Sequence, residues 1–155
     1  MTFDKTKKAL NQLVADLSQA SAAIHQIHWY MRGENFVSTH ELMDTYRDTV
    51  EDQLDEVAER LITIDGAPYS TLEQFVENSA IKSIQGDYEK SIADHRRRLV
   101  EVFRALAKGY GAAIKAAQED EDNVTEDMCI DAKGTIEQYI WMQQAELGEA
   151  PKIAE

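Results

Sequence analysis

The chain has 155 residues, enough for one domain that buries a core without disulfides or structural metals, and residues 1–155 read as a single such domain. With 16 Lys and Arg against 29 Asp and Glu, the formal net charge is −13, which argues against a nucleic-acid surface and favours cations. Only seven glycines, two prolines and no alternating apolar runs occur, so strands are hard to place and the chain reads as all-α.

The N-terminus passes directly into a polar helical pattern with no apolar signal segment, and nowhere do 18 consecutive apolar residues occur. A soluble cytoplasmic protein with no membrane partner is expected. From Asp4 to about Arg32, the residues Leu10, Leu13, Val14, Leu17, Ile24, His28 and Met31 describe one face of a long amphipathic helix, ended by Gly33-Glu34-Asn35. Ser38 followed by Glu41 has the reciprocal capping-box form. The pattern Leu42, Tyr46, Val50, Leu54, Val57, Leu61 then predicts a second long helix over residues 38–65, stopped by Gly66 and Pro68.

Ser70 with Glu73 repeats the capping signal before a short helical piece, Leu72 to Val76, too short to be a bundle member. A third long helix is expected from about Asp87 to Gln118 through Ile92, His95, Leu99, Phe103, Leu106, Tyr110 and Ile114, weakened locally by Gly109 and Gly111. Glu119 to Asp122 breaks the pattern. Thr125 can cap a fourth helix through Met128, Ala132, Ile136 and Ile140 to Gly148, with Pro151 beyond it. A short first connection, a long second one carrying its own small helix and an acidic third describe a four-helix bundle with one crossover.

The chemistry concentrates between His25 and Glu59. At 100° per residue, His40, Asp44, Asp48, Glu51, Asp55 and Glu59 fall within an arc of about 100° on the second helix. The first helix adds His28, placed similarly about the turn near Asn35, so the two histidines lie at nearly the same height in the hairpin. Asp55 and Glu59 are out of their reach: a rise of 1.5 Å per residue puts Asp55 roughly 22 Å from His40, while ligands of one ion lie within about 2.0 to 2.6 Å of it. A second copy running antiparallel can lay its Asp55 and Glu59 against the first copy's His40, and a two-fold contact then yields two identical sites. Mixed imidazole and carboxylate donors suit Fe(II), Mn(II) or Zn(II), and the absence of thiolates disfavours a closed structural zinc site.

His28-Trp29-Tyr30-Met31-Arg32-Gly33-Glu34-Asn35-Phe36, then His40, Asp44, Asp55 and Ala58-Glu59-Arg60 before Gly66 and Pro68, closely resemble the signature of the Dps family, the mini-ferritins. Asn123-Val124-Thr125, Asp127 and Ile140-Trp141-Met142 agree in the second half, and local detail is nearest to the peroxide-resistance and Listeria-type members. The resemblance implies a ferritin-like bundle assembled as a dodecamer, a hollow shell with two-iron ferroxidase centres at its two-fold interfaces. Carried over by position, His28 and His40 come from one subunit and Asp55 and Glu59 from its partner, with Asp44 supporting the second iron. The ferritin pattern of a Glu plus Glu-x-x-His within one bundle is absent, so a di-iron centre inside one subunit is not expected. The family reaction is oxidation of Fe2+, preferably by hydrogen peroxide, and storage of ferric oxide in the cavity, with protection from oxidative stress. Trp29, beside the centre in the family, is a candidate sink for stray oxidising equivalents, or an aromatic packing at the interface.

The resemblance also marks Asp120, Asp122 and Asp127, with Glu121, as candidate pore acids that would steer Fe2+ inward; Asn123 and Gln118 stand where relatives often have acids. A DNA-compacting alternative would need a basic surface. Only Met1, Thr2 and Phe3 precede the first helix, so little or no DNA binding is expected from Lys5, Lys7 and Lys8. Arg96-Arg97-Arg98 reads as surface ion pairs, His25 as a hydrogen-bonded interface histidine, His95 as a core or surface residue, and the single Cys129 as a core thiol.

Overall fold

Leu10, Leu13, Leu17, Ile24 and Ile27 form one buried stripe, met by Met43, Tyr46, Val50 and Leu61 from the second helix and by Leu99, Phe103, Tyr110, Ile136 and Ile140 from the last two. The structure, a computed structural model, describes residues 2–154. Its helices are α1 (Asp4–Tyr30), α2 (Phe36–Thr63), the short α3 (Leu72–Asn78), α4 (Ile92–Glu119) and α5 (Asn123–Glu146). Among the described residues there is no strand, and no helix is long and apolar enough to cross a membrane.

The cross-links fix the directions. Lys5 reaches Glu119 and Gln26 reaches Arg98, so α1 and α4 are antiparallel. Tyr46 accepts from Gln143 and Arg60 donates to Asp122, so α2 and α5 are antiparallel as well. Because α1 and α2 form a hairpin, α2 and α4 run parallel, and the chain between them must travel back along the whole bundle.

Residues 64–91 make that return against α1, whose polar side chains bind them in rising order. Asn11 pairs with Ala67 and Tyr69, Gln12 with Asn78, Gln19 with Ser83 and Gln26 with Ile84. Asp16, only 2% exposed, is satisfied by the Ser79 hydroxyl at 2.9 Å, the Ala80 amide at 2.8 Å and the Gln12 amide. A buried carboxylate is tolerable there because its lone pairs are filled.

Helix starts differ from the sequence expectation in consistent ways. The Ser38–Glu41 box does not form: α2 begins two residues earlier behind Asn35 (φ 65°), and the Ser38 hydroxyl donates to the Asn35 carbonyl. The box before α3 uses Thr71 and Gln74 in place of Ser70 and Glu73. A further box, Ser91 with Asp94, starts α4 at Ile92 and leaves Asp87 in the preceding loop. Asp122, not Thr125, caps α5, accepting from the Thr125 amide. Gly109 does not break α4; a Cβ there would sit 2.9 Å from a Leu13 methyl, so glycine lets α4 approach α1.

Arg96 corrects the expectation of a surface arginine run. It is 6% exposed and donates to Gln143 at 2.9 Å and Thr39 at 3.0 Å, tying α4 to α5 and to the first turns of α2. Arg97 does make a surface pair, with Glu149. Cys129 is fully buried, which pushes its thiol up to about 12. His95 is buried, and neither ring nitrogen has a hydrogen-bond partner. Burial, and then the charges of Lys90 and Arg98, hold its pKa below the ordinary value of 6.5, against the weaker pull of Asp94 and Asp87.

In the unfolded chain that imidazole binds a proton near its ordinary pKa, while the folded one resists. The penalty is absent well above pH 6.5 and grows as pH falls from there toward the lowered folded value. Denaturant unfolding at pH 7.5 and pH 5 should therefore show His95→Leu gaining stability relative to the parent at the lower pH. An unchanged difference between the two pH values would contradict the buried neutral state.

Candidate metal centre

The end of α1 and the start of α2 are built around two imidazoles. Gly33 (φ 134°) and Asn35 (φ 65°) take the left-handed conformations that let the chain reverse within a few residues. The reversal brings the His28 and His40 rings face to face, with centroids 3.6 Å apart and planes 12° from parallel. His28 Nδ1 lies 2.8 Å from the His40 carbonyl, and His40 Nδ1 lies 2.8 Å from the His28 carbonyl.

A carbonyl oxygen only accepts, so both Nδ1 atoms carry protons, and in the neutral form of each ring Nε2 presents the lone pair. The His28 carbonyl lies in the last turn of α1, where helical acceptors lack partners; the imidazole of His40 supplies one. An imidazole held through Nδ1–H to a carbonyl is also the arrangement that orients a metal-ligating histidine and raises its basicity. His28 Nε2 stands 3.8 Å from Asp44 Oδ1, which places an exposed carboxylate beside the free nitrogen.

Aromatic groups flank the pair on both sides. Phe36 covers His40 at 4.9 Å, and His25 lies 6.0 Å from His28 and 3.8 Å from Trp29, which is 60% exposed. Burial, followed by the positive charge of Arg47, lowers the His25 pKa, with Asp44 opposing. Within the chain, this position holds a ring set against Trp29 with the two planes tilted by 37°.

Asp55 and Glu59 lie on the exposed side of α2, further along the helix than the imidazoles. Among the described residues, no group of three or more His, Cys, Asp or Glu side chains in one chain is arranged to hold a metal ion. In each chain the two imidazoles stand at the hairpin end and the two carboxylates further along α2. Arg60 anchors the carboxylate end, donating to Thr125 at 2.9 Å and Asp122 at 2.7 Å.

The acidic turn has been divided between roles. Asp120 accepts from the Thr6 amide at 2.8 Å and its hydroxyl at 2.9 Å, bonds that hold its carboxyl below the usual range. Asp122 is buried; burial pushes its carboxyl up, but bonds from Thr125 and Arg60 outweigh that and lower it. These two carboxylates fasten α1 and α2 to the α4–α5 turn, while Asp127 and Glu121 remain exposed. Sequence reasoning passed over the two backbone carbonyls, which have no side-chain signal, and Arg47, the lone cation on an acidic helix stretch.

Comparison with known proteins agrees with this architecture. The ferritin family, described as a ferritin-like domain, matches over residues 7–153. The chain is 50% identical over 148 residues to the DNA protection during starvation protein of Streptococcus suis strain P1/7, covering 96% of this chain and 86% of the relative. It is 43% identical over 146 residues to the protein of that name from Listeria monocytogenes serovar 1/2a, covering 94% of each. Among solved structures, Dps from Listeria monocytogenes superposes with a TM-score of 0.92 at 43% identity, covering 95% of this chain and 96% of that one. Dps from Listeria innocua soaked with cobalt gives 0.93 at 41% identity, covering 97% and 98%.

The reciprocal bonds make a direct spectroscopic prediction. In the metal-free protein, nitrogen-15 spectra of the histidine rings should show the neutral form of His28 and of His40 as the tautomer with its proton on Nδ1. A neutral form of either ring with its proton on Nε2 would contradict the geometry.

Proposed function

The chain belongs to the Dps family of ferritin-like proteins, and from that membership we propose that it is an iron-storage and detoxification protein. It oxidises Fe2+, preferably with hydrogen peroxide, and keeps the ferric product inside a hollow dodecameric shell in the cytoplasm. The observation that carries this reading is the His28–His40 pair: two lone pairs fixed in one tautomer beside Asp44, with Asp55 and Glu59 beyond reach in the same chain. A second copy packed antiparallel supplies those carboxylates, so each two-fold contact completes two centres.

The donor set suits the task. Few protein ligands leave positions on each ion open to water and oxidant, and carboxylates stabilise the ferric product more than the ferrous substrate. Two ferrous ions each give one electron to one peroxide; its O–O bond breaks and, with two protons, two waters form and two ferric ions remain. Delivering both electrons together avoids the hydroxyl radical that one ferrous ion alone would release. Zn(II) or Mn(II) can occupy the same donors without completing that step. Trp29, exposed beside His25, is placed to take up oxidising equivalents that escape, and Asp127 is the exposed acid best suited to draw Fe2+ inward.

The relatives carry DNA protection in their name. Here that protection is chemical, through removal of iron and peroxide, because a net charge of −13 repels a polyanion and Lys5 is paired with Glu119. Gel-shift titrations at about 0.15 M salt should show no retarded DNA; retardation that weakens as salt rises would favour direct binding instead.

Mixing variants tests the shared centre. Chains with both His28→Ala and His40→Ala should stay helical and assembled but oxidise Fe2+ about 100-fold more slowly or worse. Chains with Asp55→Ala and Glu59→Ala should be equally slow. After subunit exchange between the two, about a quarter of the sites regain a full ligand set, and activity should return to match. No recovery despite exchange proven by mass spectrometry would defeat the shared-site assignment.

A further inference from the structure

We propose that Arg47 is the basic half of an ion-pair clasp between two copies of this chain, its partners being Asp48 and Asp52 of the second copy. The proposal rests on the shared-site reading above, which supplies the antiparallel packing of one α2 on another. Between His40 and Arg60, α2 carries one basic residue, Arg47, among eight carboxylates. Two such stripes brought face to face repel unless a counter-charge stands between them.

Arg47 is half-buried, its Nε is shielded from water with no hydrogen-bond acceptor, and no ion pair among the described residues includes it. A sheltered guanidinium nitrogen without an acceptor is costly, and one supplied from outside the chain removes that cost. Asp48 and Asp52 are both exposed, and no ion pair among the described residues engages them.

The register follows from the chain itself. Arg47 comes seven residues after His40, while Asp48 and Asp52 come seven residues before Asp55 and Glu59. In two antiparallel helices, a shift forward on one is matched by a shift backward on the other. Any register that sets Asp55 and Glu59 against His40 therefore sets Asp48 and Asp52 against Arg47. The faces agree as well: seven residues bring a helix back to within about 20° of its starting direction, so Arg47 shares the face of His40 and the four acids share another about 60° wide. The two-fold axis makes two clasps, which hold the contact together and make it selective for a second copy of this chain.

Charge reversal separates the clasp from a general effect on folding. R47E alone sets Glu against two aspartates at both clasps, and D48R/D52R alone sets arginine against arginine. In an equal mixture every clasp of a mixed pair is again of opposite sign. Sedimentation velocity at micromolar concentration, with circular dichroism to check the helices, should show each variant self-associating on the order of 100-fold more weakly than the parent. The mixture, and the single chain R47E/D48R/D52R, should recover the parent's assembly. R47E assembling like the parent, or a mixture and triple variant that both stay dissociated, would overturn the clasp. Exchange of the histidine and carboxylate variants, in chains that keep Arg47, reports on the shared metal centre separately; recovery there with assembly indifferent to Arg47 removes the clasp alone.

Discussion

Two hydrogen bonds organise the functional end of this molecule, those exchanged between the rings and carbonyls of His28 and His40. They complete the last turn of α1, hold the reversal into α2 and set the tautomer of both imidazoles at once. The His28 carbonyl needs a partner because helix ends leave acceptors unfilled, and the imidazole that fills it is thereby locked with its other nitrogen outward. Folding of the hairpin and the fixing of two imidazoles in one orientation are the same event.

The rest of the bundle serves that hairpin by keeping one face of α2 clear. Because α2 and α4 are parallel, a long return segment is unavoidable, and it runs along α1, where Asn11, Gln12, Asp16, Gln19 and Gln26 bind it. Asp44, Asp48, Asp52, Asp55 and Glu59 are left exposed along α2. Arg96 reaches Thr39 at one end of that helix and Arg60 reaches Asp122 at the other, so α2 is pinned near both ends. The acidic ridge is thus fixed at each end and uncovered between, open to the second copy proposed above.

Most of the architecture was legible in the residues. Apolar periodicity located all four long helices, because each buries one face in the common core, and a capping signal located the short one in the crossover. The exact starts were less legible, since Ser70 and Thr71 or Ser38 and Asn35 offer neighbouring caps and tertiary contacts choose between them. The equal height of His28 and His40 could be read from their spacing about the turn. Their lock could not, because its acceptors are backbone atoms. Arg96 looked like its neighbours Arg97 and Arg98, and only the packing of α4 on α5 turns it inward. Asp120 and Asp122 read as free acids until the ends of α1 and α2 arrived to bind them.

The central claim is that nitrogen donors of one copy and oxygen donors of another meet on the same ions. Anomalous diffraction from a crystal soaked in ferrous or cobalt(II) salt tests it most directly. A metal peak bonded to His28 and His40 of one copy and to Asp55 and Glu59 of a two-fold neighbour is the expected result. A peak bound wholly within one chain, or a two-fold contact with those four residues turned apart, would contradict it.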